Sequence, residues 1–280
     1  MFIMKIPFIK MHGAGNDYIF VDCFKNVVEQ PEKLAVEISD RHFGVGSDGL
    51  VLILPSENND CEMRIFNADG SEAKMCGNAI RCVGKYFFEN HLQKNILKIN
   101  TLSGTKILEI FAENNIVSNV KVDMGKADFT AKNIPVIWKS DTCINQPFKI
   151  DNENYSITAV SVGNPHCVVF CKDVEQIPLG TLGTKFEHNV IFPERVNTEF
   201  IQIVDNKTIK MRVWECGSGE TMACGTGACA AVAAAIKNGL LNFDTEICVQ
   251  LKGGELFITC LSDYRVFMLG NAVEVFKGSF

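Results

Sequence analysis

Shifting the sequence by 148 residues lays one half of the chain on the other. Met63-Arg64-Ile65-Phe66-Asn67 falls on Met211-Arg212-Val213-Trp214-Glu215, Glu72 on Glu220, and Cys76-Gly77-Asn78 on Cys224-Gly225-Thr226, without a gap. The same shift puts Gly15-Asn16 on Gly163-Asn164 and Gly49 on Asn197, and one further residue brings Leu102-Ser103-Gly104 onto Leu251-Lys252-Gly253. One register kept across separated segments is the mark of an internal duplication. It predicts two homologous domains related by a pseudo-dyad, meeting near residues 126–134 and facing each other across a cleft with matching residues on opposite walls. The expected division is 1–126 and 127–264, with the C-terminal strand 265–280 joining the first half.

Within each copy the pattern is mostly strand. Segments 18–23, 50–54, 62–67, 96–100, 107–111 and 117–123 are short, rich in β-branched or aromatic residues, and bounded by Gly, Asn or Asp. Helical spacing is confined to 31–40 and 77–90 in the first half, and to 174–182 and 225–238 in the second. The class is α+β, each half a mostly antiparallel sheet curled around helices.

Net charge is −6 with Lys and Arg scattered, which leaves no basic stripe for a phosphate backbone, so nucleic acid is not an expected partner. The Ala-rich stretch 228–236 is far shorter than a bilayer span, and 1–10 has no long apolar core or small-residue cleavage site. A cytoplasmic protein with no membrane partner is expected. Twelve cysteines then read as reduced thiols, because the cytosol keeps them so. Cys23, Cys167, Cys248 and Cys260 stand in apolar strand-like runs as small hydrophobes, and Met75 and Met222 read as core fillers. No C-x-x-C pair is present, and no metal is expected.

Cys76 and Cys224 are different. Each follows a glycine-containing loop and opens a helix, where backbone N–H groups and the helix dipole favour a thiolate. The N–H groups of Gly77, Asn78, Gly225 and Thr226 form a ready site for a carboxylate. A symmetric pair of thiols suits a symmetric task. Inverting a stereocentre without a cofactor requires a base on one face of Cα and an acid on the other, with roles exchanged for the reverse direction. The expected function is a cofactor-independent amino-acid racemase or epimerase acting on a small-molecule amino acid. A cysteine hydrolase using one Cys with His166 and Asn164 is the reading from another reaction class, and it leaves the second Cys-Gly motif unexplained.

At these residues the chain resembles the diaminopimelate epimerase family. The stretches that carry the resemblance are Lys10-Met11-His12-Gly13-Ala14-Gly15-Asn16-Asp17, Arg64 through Glu72, Cys76-Gly77-Asn78, Gly163-Asn164-Pro165-His166-Cys167, Phe192-Pro193-Glu194-Arg195-Val196-Asn197, and Gly217 through Ala228. The resemblance implies interconversion of LL- and meso-diaminopimelate, on the route to lysine and peptidoglycan, with Cys76 and Cys224 as acid and base. It further implies that Asn16, Asn67, Asn164, Asn197 and Glu215 bind substrate, that Gly77, Asn78, Gly225 and Thr226 hold the reacting carboxylate, and that His166 and Glu215 set the protonation of the thiols. Two positions depart from the family pattern. Cys216 stands where the family usually carries an Arg for the distal carboxylate, and Gly49 where some members place Gln. A thiol cannot supply the bidentate fork of an Arg, which leaves open a racemase of an amino acid without that carboxylate, such as histidine. Long antiparallel strands are compatible with a homodimer.

Overall fold

Ile19-Phe20-Val21 and Leu50-Val51-Leu52-Ile53 are apolar on both faces, the pattern of strands covered on two sides. In the computed structural model, which describes residues 5–280, these runs are adjacent parallel strands and are fully buried. The first four residues of the 1–10 segment lie outside the described residues. The chain divides into two compact units, one running to Val122 and taking in Gly270–Phe280, the other Asp123–Leu269. These divisions stand beside expected ones after residues 126 and 264.

The first unit is built from β1 (Pro7–Gly13), β2 (Asn16–Asp22), α1 (Pro31–Ser39), β3 (Gly49–Leu54), β4 (Cys61–Asn67), β5 (Glu72–Ala73), α2 (Gly77–Asn90), β6 (Ile96–Asn100), β7 (Lys106–Glu113) and β8 (Ile116–Lys126), which crosses the division. The second holds β9 (Gln146–Ile150), β10 (Glu153–Ser161), β11 (Pro165–Phe170), α3 (Leu179–Glu187), β12 (Asn197–Ile203), β13 (Thr208–Glu215), β14 (Gly219–Glu220), α4 (Gly225–Lys237), β15 (Glu246–Leu251), β16 (Gly254–Cys260) and β17 (Arg265–Gly270). A last strand, β18 (Val273–Ser279), returns to the first unit and pairs antiparallel with β1.

The pairing schemes of the two units match. β1–β2 and β10–β11 are antiparallel, β2–β3 and β11–β12 parallel, β3–β4 and β12–β13 antiparallel, and β4–β6 and β13–β15 parallel. Register is kept to the residue across β2–β5 and β11–β14, and shifts by one residue at β10–β11 relative to β1–β2 and by two at β13–β15 relative to β4–β6. Leu50 faces Phe66 as Thr198 faces Trp214, and Phe66 faces Glu72 as Trp214 faces Glu220. Even an ion pair recurs, Arg64 with Glu72 and Arg212 with Glu220, each a two-pronged contact. Identical pairing across β2–β5 and β11–β14 at one sequence offset is the structural counterpart of the repeat.

Each unit lodges one buried helix against its strands. Residues Gly77 to Phe88 of α2 are all buried, and the Ala-rich α4 is buried from Gly227 to Ile236. Ala has the best helix propensity and the smallest side chain that keeps it, so α4 lies close on β10, β11, β12 and β16. Arg81 is fully buried in α2 and satisfied there: it donates to the carbonyls of Asn271 (3.1 Å) and Gly77 (3.1 Å) and to Asn78 Oδ1 (3.0 Å).

Three expectations need correction. The helix expected over 174–182 is a 3-10 turn, Val174–Gln176, followed by α3 at Leu179–Glu187. Pro178 separates them, because it lacks an N–H and restricts the residue before it. Met222 is exposed and Met75 half-buried, since each sits on the short link between a two-residue strand and its helix. All twelve cysteines are free, but Cys23 and Cys248 are half-buried: Cys23 lies just beyond β2, and Cys248 falls on the outward alternation of β15. Among the described residues no helix is long and apolar enough to cross a membrane.

Candidate active site

In the first unit, β2 and the start of α2 bring their polar groups together. Cys76 is the residue before α2, in extended backbone (φ −137°, ψ 121°), and half-buried. Its carbonyl accepts the first intrahelical bond, from Ile80, so the N–H groups of Gly77, Asn78 and Ala79 precede the helical ladder. Asn16, at the start of β2, presents Oδ1 to Cys76 Sγ at 3.4 Å and accepts from Asn78 Nδ2 at 3.3 Å. Its amide is oriented from behind: Nδ2 donates to Asp48 Oδ2 at 2.7 Å, and Arg41 joins Asp48 to Asp17 at 2.9 and 3.0 Å. Lys10 completes the set at 2.8 Å from Asp17. Burial opposes the charge on Asp17, but Lys10 and Arg41 outweigh it and hold its carboxyl below the usual range. Burial and the neighbouring Asp17 push Asp48 up.

Asn67 and Gly49 lie apart from this group. They face each other across β3 and β4, and Asn67 turns its amide to the Ser71 hydroxyl at 3.0 Å. Gly49 accounts for its own departure from the family: a Cβ there would stand 2.1 Å from the Phe66 carbonyl oxygen and 3.0 Å from the Tyr18 ring. No side chain fits on that backbone.

In the second unit, Cys224 is the residue before α4, again extended (φ −115°, ψ 112°), and buried. Its sulfur accepts from Gly227 N at 3.3 Å and lies 3.5 Å from Thr226 Oγ1. A polar chain leads away: Asn164 Nδ2 donates to Thr226 Oγ1 (3.3 Å), Asn164 Oδ1 meets His166 Nε2 (2.9 Å), and His166 Nδ1 meets Glu199 Oε1 (2.7 Å). His166 and Glu199 are fully buried, and Glu199 Oε2 has no hydrogen-bond partner. Gly227 allows this packing, since a Cβ there would be 2.7 Å from Glu199 Oε1 and 3.2 Å from Cys224 Sγ. Glu215 accepts from the Thr221 hydroxyl and lies close to Cys224. Burial pushes its carboxyl above the usual range against those two contacts.

A helix N-terminus was expected to lower the thiol pKa, and for Cys224 the direction is opposite. Burial, then the charges of Glu215 and Glu199, push it well above the ordinary value, and the contacts from Thr226 and Gly227 do not offset them. Desolvation here outweighs the helix end.

Asn197 and Cys216 form a third group. Asn197 Oδ1 accepts from Cys216 N (2.9 Å) and its Nδ2 donates to the Pro165 carbonyl (3.1 Å), which fixes the turn after β13. The Cys216 thiol is exposed and stands near Glu187, a buried carboxylate that accepts from Trp214 Nε1 (2.7 Å), Arg195 Nη1 (3.0 Å) and Gly217 N (3.1 Å). Partial burial and the charge of Glu187 push the thiol up.

Sequence reasoning missed Tyr18, Asp48, Glu187 and Glu199. Two of these carried a signal. Tyr18 and Glu199 stand two residues beyond Asn16 and Asn197, on the same face of their strands. Among the described residues no set of three His, Cys, Asp or Glu side chains converges as metal ligands.

Comparison with known proteins agrees with this architecture. Solved structures sharing the fold include a probable proline racemase from Agrobacterium radiobacter (TM-score 0.73, 14% identity, covering 98% of this chain and 92% of that one). A hydroxyproline epimerase from Agrobacterium vitis superposes with a TM-score of 0.70 at 12% identity, covering 99% of this chain and 91% of that one. At these identities the likeness concerns the fold alone. Sequence relatives are far nearer. A protein of Acetivibrio thermocellus named diaminopimelate epimerase is 50% identical over 273 residues, 97% of each chain. Its namesake in Desulfovibrio desulfuricans is 46% identical over 285 residues, 99% of each. The family model described as Diaminopimelate epimerase matches residues 8–130 and 158–275, and the chain therefore belongs to the diaminopimelate epimerase family.

Proposed function

We propose that this chain interconverts LL- and meso-diaminopimelate without a cofactor, by proton transfer between the substrate Cα and the sulfurs of Cys76 and Cys224. The observation that carries the reading is the duplicated arrangement of a thiol before a buried helix, with an Asn beside each helix start, in a chain whose near-full-length relatives bear this name.

In this reading one sulfur takes the Cα proton as a thiolate while the other, a thiol, delivers a proton to the opposite face. The electron pair left on Cα delocalises into the adjacent carboxylate. N–H groups of Gly77 and Asn78, or Gly225 and Thr226, hold that carboxylate and stabilise the charge it gains. Burial and the carboxylates of Glu215 and Glu199 favour the thiol form of Cys224, so Cys224 enters as the acid and Cys76 as the base. One turnover leaves the Cα proton on Cys76 and leaves Cys224 as the thiolate, so the roles are exchanged, as a reversible epimerisation requires. His166 and Glu215 then return a proton to the Cys224 sulfur, and Cys76 gives one up to solvent, before another molecule of the same epimer reacts.

The substrate without a distal carboxylate that Cys216 left open, histidine for example, is not favoured, because relatives matching 97–99% of the chain are named for diaminopimelate. Incubating the full chain with LL-diaminopimelate and, separately, L-histidine under reducing conditions tests the choice by chiral chromatography. Conversion of diaminopimelate with little or no D-histidine is expected; the reverse ranking would remove the substrate assignment. Cys216→Arg offers a further check. A guanidinium at this exposed position gives the distal carboxylate a bidentate partner, so KM for diaminopimelate is expected to fall about tenfold with the histidine rate unchanged.

The reading places the enzyme in the cytoplasm, on the route to lysine and peptidoglycan. We also propose a homodimer, supported by β18, which exposes Val273, Val275 and Phe276 on a strand paired with β1. Sedimentation analysis checks it, a monomer at micromolar concentration being the contrary result.

A further inference from the structure

The repeat that superimposes Asn16 on Asn164 also superimposes Tyr18 on His166. In the second unit, the ring two residues beyond the Asn holds that Asn at 2.9 Å, and the Asn holds Thr226 beside the sulfur. In the first unit the ring at the same register is a tyrosine. Tyr18 is only 6% exposed, its side chain lies on the face of β2 that carries Asn16, whose Oδ1 is 3.4 Å from the Cys76 sulfur, and its hydroxyl stands close to both residues. Gly49 makes the room, since any larger residue would bring a Cβ to 3.0 Å from Tyr18 Cε1.

The groups around this contact come from three directions. Asp48, ahead of β3, places a carboxylate near the hydroxyl and is tied to Asn16. From α2, Cys82 lies near Cys76, and Arg81 spends its donors on Gly77, Asn78 and Asn271. Asp17, with Lys10 and Arg41, closes the far side of Asp48. Burial, with the negative charges of the Cys76 thiolate and Asp48, pushes the Tyr18 hydroxyl well above its ordinary range. It therefore stays protonated across the working pH and can donate toward an ionised sulfur.

We propose that Tyr18 is a positioning residue of the epimerase site, its hydroxyl donating to the Cys76 sulfur and favouring the thiolate. The proposal rests on the reading of Cys76 as one of the two acid–base thiols. It gives the half-exposed thiol of the first unit a neutral donor where the second unit places a His–Glu pair. The two copies thus hold their sulfurs by different chemistry on one backbone.

The test is alkylation of Cys76 in the full chain by iodoacetamide as a function of pH, read by mass spectrometry of the Cys76 peptide, so that the other thiols are followed separately. Losing a hydrogen bond to a charged group moves the midpoint of the Cys76 rate in Tyr18→Phe upward by about 1 pH unit or more, which is about a tenfold slower reaction below it. The Cys224 profile stays in place, and kcat for epimerisation falls while KM does not. Biosynthetic replacement of the four tyrosines by 3,5-difluorotyrosine makes the hydroxyl a stronger donor without removing the ring, and moves the Cys76 midpoint downward. A Cys76 midpoint that moves in neither protein, or that moves together with Cys224, overturns the proposal. Alkylation needs no turnover, so absence of diaminopimelate epimerisation in the unmodified chain would remove the functional reading and leave the tyrosine contact standing or falling by its own result.

Discussion

Cys76→Ala and Cys224→Ala are each expected to lose epimerisation of diaminopimelate by about a thousandfold or more, because in the proposed mechanism each removes one of the two groups that move a proton in the transition state. The losses will differ in kind. With one sulfur left, the enzyme can still exchange the α-proton of the epimer whose hydrogen faces that sulfur. In D2O one variant should therefore label only the LL-epimer and the other only the meso-epimer at the reacting centre. NMR of the Cα signals reads both. Retention of full epimerisation by either variant, or labelling of both epimers by each, would show that some other group carries the proton.

Alkali is expected to unfold this protein far more readily than it does a chain with few thiols. Cys61, Cys82, Cys167, Cys224 and Cys260 are all buried, and burial pushes every one of them up, to about 12 for Cys61, Cys82 and Cys260. The sign follows from proton counting. Below about pH 9, folded and unfolded chains both keep these protons, and the full stability is present. Above it the unfolded chain releases them while the folded chain cannot, so stability falls as pH rises toward the folded-state values. Each such thiol removes about 1.4 kcal/mol per pH unit, and five acting together about 7, which is comparable to the whole stability of an ordinary domain. Urea midpoints measured with a phosphine reductant from about pH 8 to about pH 10.5 should fall steeply above pH 9. A flat profile would mean that these thiols are solvated in the native state.

The repeat was legible because it was carried by Gly, Asn, Cys and Arg at fixed spacing, residues whose backbone and pairing demands recur with the fold. Arg64 with Glu72 and Arg212 with Glu220 confirm the offset to the atom. The helices 77–90 and 225–238 were legible for a related reason: after each Cys-Gly the apolar residues recur at helical spacing, Ile80, Val83 and Phe87 in the first and an Ala-rich run in the second. The weak segment 174–182 was misread because Pro178 splits it, and because the apolar spacing of Leu179, Leu182 and Phe186 begins only after the proline. Around the thiols, Asn16, Asn164 and His166 could be read from their motifs. Asp48 and Glu187 could not, since a lone carboxylate carries no local sign that burial and a distant partner will engage it, whereas Glu199 was marked only by its place two residues beyond Asn197. The direction of the Cys224 shift was hidden in the same way. A helix start is visible in sequence, whereas the depth of burial and the two carboxylates that override it are tertiary facts.

The most direct test of the two-thiol account follows LL-diaminopimelate with the unmodified chain in D2O and compares label in product and in recovered substrate at early times. Two separate sulfurs predict meso-product carrying deuterium at the inverted carbon while unreacted LL-substrate remains protiated. Deuterium in recovered LL-substrate ahead of product, or no turnover in reduced protein, would contradict it.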